Sequence, residues 1–264
     1  SNVVMCENIR FQKGEKSNST ALSKLIATLG DVYVFDAFGV AHRKEASTFG
    51  VTSFIDSYAG LLIEDEIKNI NKLVTNTKSP LVTIISGAKV STKLNLINSL
   101  INKTDYMIIG GGILNTFLAA LNYNIGLSLY EKSFIDEAKK IIKSTNFKKI
   151  ILPIDVVCSD DRQLDNPQNK LISMVQSSDK ILDVGKKTLS KYSNIVKNAK
   201  TVFWNGPLGY LEQKPYDFGT IQLSKAIASA NNFSIIGGGD TIPIIEKLGI
   251  ENNISCLSTG GGSL

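Results

Sequence analysis

The chain has 264 residues, 43% hydrophobic and 20% charged, which is enough apolar content for one large domain or two modest ones and too much for a disordered chain. Its net charge of +5 is a mild excess that suits anionic metabolites, and without aromatic-basic interleaving it points away from nucleic acid. Three cysteines (Cys6, Cys158, Cys256) make no C-x-x-C pair, no apolar run reaches the roughly 18 residues of a membrane span, and SNVVMCENIR is no signal peptide, so a soluble cytoplasmic protein is expected.

In chain order, strands are predicted over Asp31–Phe35, Leu81–Ile85, Tyr106–Ile109, Ile150–Leu152, Ile181–Asp183, Thr201–Trp204, Phe233–Ile236 and Ile254–Leu257. Helical periodicity runs over Thr20–Leu29, Ser91–Leu100, Glu131–Ile142, Lys186–Val196, Thr220–Ala230 and Thr241–Leu248. A further amphipathic stretch, Leu61–Val74, reads either as a crossover helix or as a connector between two parts of the chain. Short β-branched runs alternating with helices predict an α/β fold built on a doubly wound parallel sheet. Lys139, Lys140, Lys143, Lys148 and Lys149 are read as solvated helix faces.

Glycine-rich segments follow four of the apolar runs: SGAK at 86–89, IGGGI at 109–113, IGGGDT at 236–241 and STGGGS at 258–263. Glycine lets backbone amides approach an anion closely, and loops at the carboxyl ends of parallel strands form the ligand crevice of open sheets. Any one of these turns is also explained by a tight strand-to-helix connection; the four together favour phosphate or nucleotide. No G-x-x-x-x-G-K-[ST] is present, and no G-x-G-x-x-G opens a helix with an acidic residue about twenty positions on. Lys89 and Lys93, four apart at the predicted helix start, either neutralise phosphate oxygens or are surface charges. Asp240 either caps a helix or holds the Mg²⁺ that accompanies nucleotide phosphates. In FWNGPLGYLE, Asn205–Pro207 reads as turn chemistry, with Glu212 exposed beyond it and free to bond a ribose hydroxyl. His42 is the single histidine and has no triad partner at a recognisable spacing, while Arg10 and Arg43 are either surface charges or bidentate phosphate or carboxylate readers.

The words MCENIRFQKGEK, DVYVFDAFGVAHRKEAST, ISGAKVSTKL, DYMIIGGGI, TVFWNGPLGYLE, IIGGGDT and SCLSTGGG, in this order and spacing, closely resemble the phosphoglycerate kinase family from Val3 to Gly262. The resemblance implies a two-lobed, monomeric glycolytic kinase that moves a phosphoryl group between 1,3-bisphosphoglycerate and ADP, giving 3-phosphoglycerate and Mg·ATP. It implies a partial triose-binding lobe over 1–60 with Arg10, His42 and Arg43, an interdomain helix over 61–77, and a nucleotide-binding lobe over 78–264. On that lobe it implies nucleotide contacts at Gly87, Lys89, Lys93, Gly111, Asn205, Pro207, Glu212, Gly238, Gly239, Asp240 and Thr241, with Mg²⁺ on Asp240. Lys93, Arg43 and the Gly260–Gly262 loop, Gly261 at its centre, are implied at the transferring group.

The sequence departs from the family in several places. It has no R-V-D-F-N or S-H-L-G-R-P word, Ser263 stands for the Ala after the triple glycine, Cys256 for His or Tyr-like residues, and Val40 for a common Thr. The expectation is therefore an internal fragment lacking the N-terminal segment and the extreme C-terminus. Two other readings are a nucleotide-binding protein without turnover, derived from a truncated or decayed enzyme, and a nicotinamide-dependent oxidoreductase, which lacks its fingerprint.

Overall fold

A computed structural model describes residues 3–75, 77–160 and 164–261. They divide into two compact units, 3–71 and Lys72–Gly261.

In the first unit, helix α1 (Thr20–Ala27) and strand β1 (Tyr33–Phe35) precede strand β2 (Ser57–Ala59), which pairs with β1 in parallel. Helix α2 (Leu61–Thr75) follows directly, and its start is closed by Asp36, whose carboxylate accepts the Ile63 amide at 3.0 Å. A side chain at Gly60 would run into the Asp36 carboxylate at 2.2 Å, so the glycine permits this cap. The buried Glu15 ties the unit together by accepting from the Ser47 amide at 3.1 Å and from the Ser47 hydroxyl. Parallel strands are normally covered on both faces. Here Val34 is 57% exposed and Tyr58 60%, so this two-stranded sheet is incomplete by itself.

The second unit contains strands β3 (Leu81–Ile85), β4 (Tyr106–Ile109), β5 (Ile150–Ile151), β6 (Asp155–Ser159), β7 (Gln168–Leu171), β8 (Lys180–Val184), β9 (Thr201–Asn205), β10 (Phe233–Gly237) and β11 (Cys256–Ser258). Its helices are α3 (Leu94–Leu100), α4 (Gly111–Ala120), α5 (Ile135–Lys143), α6 (Lys186–Asn198), α7 (Phe218–Ala228) and α8 (Ile242–Leu248). Six strands form one parallel sheet in the order β11-β10-β9-β3-β4-β5. Side chains of successive strand residues point to opposite faces, so each central strand feeds two cores. Val82, Ile84 and Ile108 meet α6, α7 and α8 through Tyr192, Leu223 and Ile245, whereas Ile85, Met107 and Ile109 meet α3, α4 and α5 through Ile97, Phe117 and Ile141. This is the doubly wound arrangement that the alternation predicts.

The structure departs from the predicted elements in places. Ile181–Asp183 does not join the parallel sheet; it lies in β8 of a separate antiparallel sheet, β7-β6-β8, of which β6 and β7 were not anticipated. Buried Asp155 anchors that sheet by accepting from Asn169 Nδ2 at 2.8 Å and from the Thr188 amide at 2.8 Å. Lys170 donates to both carboxylate oxygens of the buried Asp179, at 2.8 and 2.9 Å. Helix α4 was missed as well. Gly112 through Leu118 are all buried, so it has no polar face to produce the helical alternation. Lys149 is not a freely solvated charge, because its ammonium donates to the carbonyls of Ile101 and Asn102 at 3.0 and 3.1 Å.

Candidate functional site

The order of the large sheet places its switch point between β3 and β9: the chain runs outward from β3 through β4 to β5, then returns to β9 and leaves the other way. Ligands of open α/β sheets bind outside the carboxyl ends of the strands at such a point. The glycine-rich segments follow β3, β4, β10 and β11, and a cleft of about 830 Å³ opens among the loops after β3, β4, β9 and β10. Gly87, Gly111, Pro207, Glu212, Gly239 and Asp240 line it, facing an apolar wall that includes Leu127, Leu129 and Leu164.

Close packing of backbone explains several of the glycines. A side chain at Gly112 would meet the Ala88 carbonyl oxygen at 2.2 Å, and one at Gly206, where φ is +93°, the Ser86 carbonyl oxygen at 2.1 Å. Gly111 plays a packing part too: its amide is spent on the Leu208 carbonyl at 3.1 Å. Open amides lie elsewhere. Among the described residues, the backbone N–H groups of Gly87, Ala88, Gly239 and Asp240 have no protein acceptor, and all four residues line the cleft. Gly239 has open space around it, whereas Gly238, at φ +116°, is buried in the turn.

Lys93 is half-buried, and burial lowers its ammonium below the ordinary lysine range. It donates to Asn205 Oδ1, while Asn205 Nδ2 donates to the Gly261 carbonyl at 3.3 Å. Asn205 is thus the buried last residue of β9 rather than part of the turn, and it links the loops after β3 and β11. The expected helical pairing of Lys89 with Lys93 is corrected: α3 begins only at Leu94, and both lysines precede it. Lys93 is placed by a turn in which its amide bonds the Val90 carbonyl at 2.8 Å, and Lys89 is exposed. Glu131 braces this turn by accepting from the Ser91 amide at 2.8 Å and the Ser91 hydroxyl at 2.7 Å. Asp240 is exposed and does not cap α8, whose N-cap residue is Thr241. Thr241 is buried, and its Oγ1 has no partner among the described residues. Glu212 is exposed at the rim, and Gly262 lies outside the described residues.

The first unit holds Arg10, His42 and Arg43. Arg10 Nη1 lies 2.9 Å from Glu45 Oε2, and Arg43 Nη1 lies 3.8 Å from Glu45 Oε1, so one buried carboxylate draws the two guanidinium groups together. His42 is exposed beside them in sequence.

Reading the sequence missed Glu45, Glu131, Asn115 and Asp183. Glu45 and Glu131 act through contacts 35 and 40 residues away, which no local spacing announces. Asn115 is buried within α4, donating to the Leu129 carbonyl at 2.9 Å. Asp183 lies on the cleft wall, where burial pushes its carboxyl up to about 7.

The family model for phosphoglycerate kinase matches residues 1–264, the whole chain. The chain belongs to the phosphoglycerate kinase family. It is 46% identical over 263 residues to the phosphoglycerate kinase of Buchnera aphidicola subsp. Baizongia pistaciae, covering 99% of this chain and 66% of that protein. It is 42% identical to the enzyme of Francisella tularensis subsp. novicida, covering 68% of it. The phosphoglycerate kinase structure from Coxiella burnetii superposes with a TM-score of 0.83 at 40% identity, covering 98% of this chain and 68% of the other. That from Pyrococcus horikoshii OT3 superposes with 0.84 at 28% identity, covering 97% and 67%. The chain therefore spans about two thirds of the length of these relatives, as the resemblance led one to expect of a fragment, and one lobe is incomplete. The phosphoglycerate kinases are glycolytic phosphotransferases, which sets the nicotinamide-dependent reading aside.

Proposed function

We propose that this chain supplies the nucleotide half, and part of the triose half, of an enzyme that transfers a phosphoryl group between 1,3-bisphosphoglycerate and ADP to give 3-phosphoglycerate and ATP. The observation that carries the reading is the chain of contacts from Lys93 through Asn205 to Gly261, set at the sheet's switch point beside open amides. Phosphoryl transfer asks little covalent chemistry of a protein; it asks for positioning and for charge that offsets the transferring oxygens. Lys93 would supply that charge, held in place by Asn205, and the amides of Gly87, Ala88, Gly239 and Asp240 would take phosphate oxygens. The apolar wall suits a base, and Glu212 at the rim suits a ribose hydroxyl. Arg10 and Arg43, with His42, would hold the anionic triose, Glu45 keeping the guanidinium groups oriented.

No group of three metal-ligating side chains occurs among the described residues, which fits Mg²⁺. That ion is typically carried by one or two carboxylates together with substrate phosphates. Asp240, exposed at the cleft, fits as its single protein carboxylate. Bound there, Mg²⁺ would neutralise charge on the nucleotide phosphates. The protein is read as cytoplasmic and monomeric, in keeping with the family; no helix among the described residues is long and apolar enough to cross a membrane.

Calorimetric titration with Mg·ADP tests the assignment. Saturable binding is expected, weakened about tenfold or more in both Lys93→Ala and Asp240→Asn, since each removes a charged contact. Absence of binding by the folded chain, or unchanged affinity in both variants, overturns it.

A further inference from the structure

The cleft among the glycine loops is lined by more than backbone suited to phosphate. Asn115, on the second turn of α4, belongs to its lining. Gly111 and Gly112 precede it by four and three residues, so the three share one face of the helix. About 6 Å along the axis separates Asn115 from Gly111. The lining thus runs from the loop at the helix start into the apolar wall, where Leu127 is 65% and Leu129 62% exposed.

Half of the Asn115 amide is satisfied and half is not. Its Nδ2 donates to the Leu129 carbonyl at 2.9 Å, which fixes which way round the amide sits. Its Oδ1 is buried and has no partner among the described residues. Asn115 is only 3% exposed, so surface water does not supply the missing bond. A buried acceptor left unpaired is costly, and uncommon in native structures. Asn18 and Asn232 also carry such an oxygen, but neither lines the cleft.

The chemistry of this oxygen narrows what could meet it. A neutral carbonyl oxygen accepts and cannot donate, so it repels the oxygens of a phosphate or a carboxylate. A hard cation calls for several oxygen ligands, whereas the wall beside Asn115 is built of leucines. What remains is an N–H donor on an otherwise apolar, flat-sided group. Among the parts of a nucleotide, a base with an exocyclic amino group has that character. The 6-amino group of adenine offers the donor, where a 6-oxo purine turns an acceptor to the same place.

We infer that Asn115 is a specificity-determining residue of the cleft, its Oδ1 accepting from the 6-amino group of an adenine base seated on the Leu127–Leu129 wall. This rests on the nucleotide reading of the cleft, and adds to it the base preferred and the side chain that reads it.

Calorimetry comparing Mg·ADP with the Mg²⁺ complex of purine riboside 5′-diphosphate tests it, since the second ligand lacks only the 6-amino group. The parent chain should bind ADP about three- to tenfold more tightly, the worth of one hydrogen bond to a buried acceptor. In Asn115→Leu, which keeps the side-chain volume, and in Asn115→Ala, the ratio should fall to about one, with folding checked by circular dichroism. A general loosening of the wall weakens both ligands and cancels in the ratio. Asn232→Leu removes an unpartnered oxygen outside the cleft and should keep the parent ratio. Equal affinity of the parent for the two ligands, with Mg·ADP bound, overturns the inference and leaves the nucleotide reading standing. A preference that survives in both Asn115 variants also overturns it and assigns Oδ1 to a resident water, as does a preference that disappears in Asn232→Leu. Failure of the folded parent to bind either ligand overturns the nucleotide reading and this inference with it.

Discussion

Asp183 offers a quantitative test of how the cleft wall is built. Its side chain sits on β8 at 3% exposure, accepting from the Gly219 amide at 2.7 Å and from the Val184 amide at 2.8 Å. Burial raises the carboxyl from the ordinary 3.8 to about 7, the two amide bonds oppose the rise, and nearby Asp217 adds to it. Between these two pH values the folded chain holds a proton that the unfolded chain has released. The group's stabilising contribution is therefore complete below about pH 4 and lost as pH rises through about 7. At about 1.4 kcal/mol for each pKa unit, the loss between pH 5 and pH 8 amounts to about 3 kcal/mol. Asp183→Asn removes the titration and leaves every other ionisable group in place. The parent's stability minus the variant's should then fall by about 3 kcal/mol over that range. Urea unfolding followed by the fluorescence of Trp204, the single tryptophan and fully buried in the same unit, measures it. A difference that stays flat with pH, or one that grows in the parent's favour, would mean that Asp183 is a well-solvated or well-paired carboxylate and would refute the reasoning.

Two further outcomes follow from the same packing. Gly112→Ala puts a methyl group 2.2 Å from the Ala88 carbonyl oxygen, so the loops after β3 and β4 must separate. A loss of about 1–3 kcal/mol in denaturant unfolding is expected, together with weaker Mg·ADP binding, and a neutral variant would show that the loops are not closely apposed. Cys158 is buried, and burial pushes its thiol up to about 12, so it stays in the unreactive form. A thiol reagent should modify the exposed Cys6 rapidly in the native chain and reach Cys158 only after denaturation; native labelling of Cys158 would contradict the packing.

Much of this molecule is legible without coordinates because its signals are local. Runs such as Leu81–Ile85 and Thr201–Asn205 are buried on both faces, so they read as strands from composition alone. Glycines that permit close approach advertise the loops at the strand ends, and all but the last of those segments contribute to the wall of one cleft. Helix α4 and the strands β6 and β7 escaped for the opposite reason. The helix is buried nearly all round, and β7 is the polar segment QNKL, whose place is decided by its pairing with β6.

The amino-acid sequence by itself determined the α/β class, the strands of the large parallel sheet and the residue types at the loop ends, since each follows from propensity, periodicity or backbone freedom within a few residues. Tertiary structure alone decided which partners those residues meet. It bound Lys93 to Asn205 across 112 residues and drew Arg10 to Glu45 across 35. It placed Ile181–Asp183 in an antiparallel sheet and set the Asp183 carboxylate against the Gly219 amide. Charge pairing, burial and the pKa of a group such as Asp183 depend on distances between segments remote in sequence, and only the folded chain sets those distances.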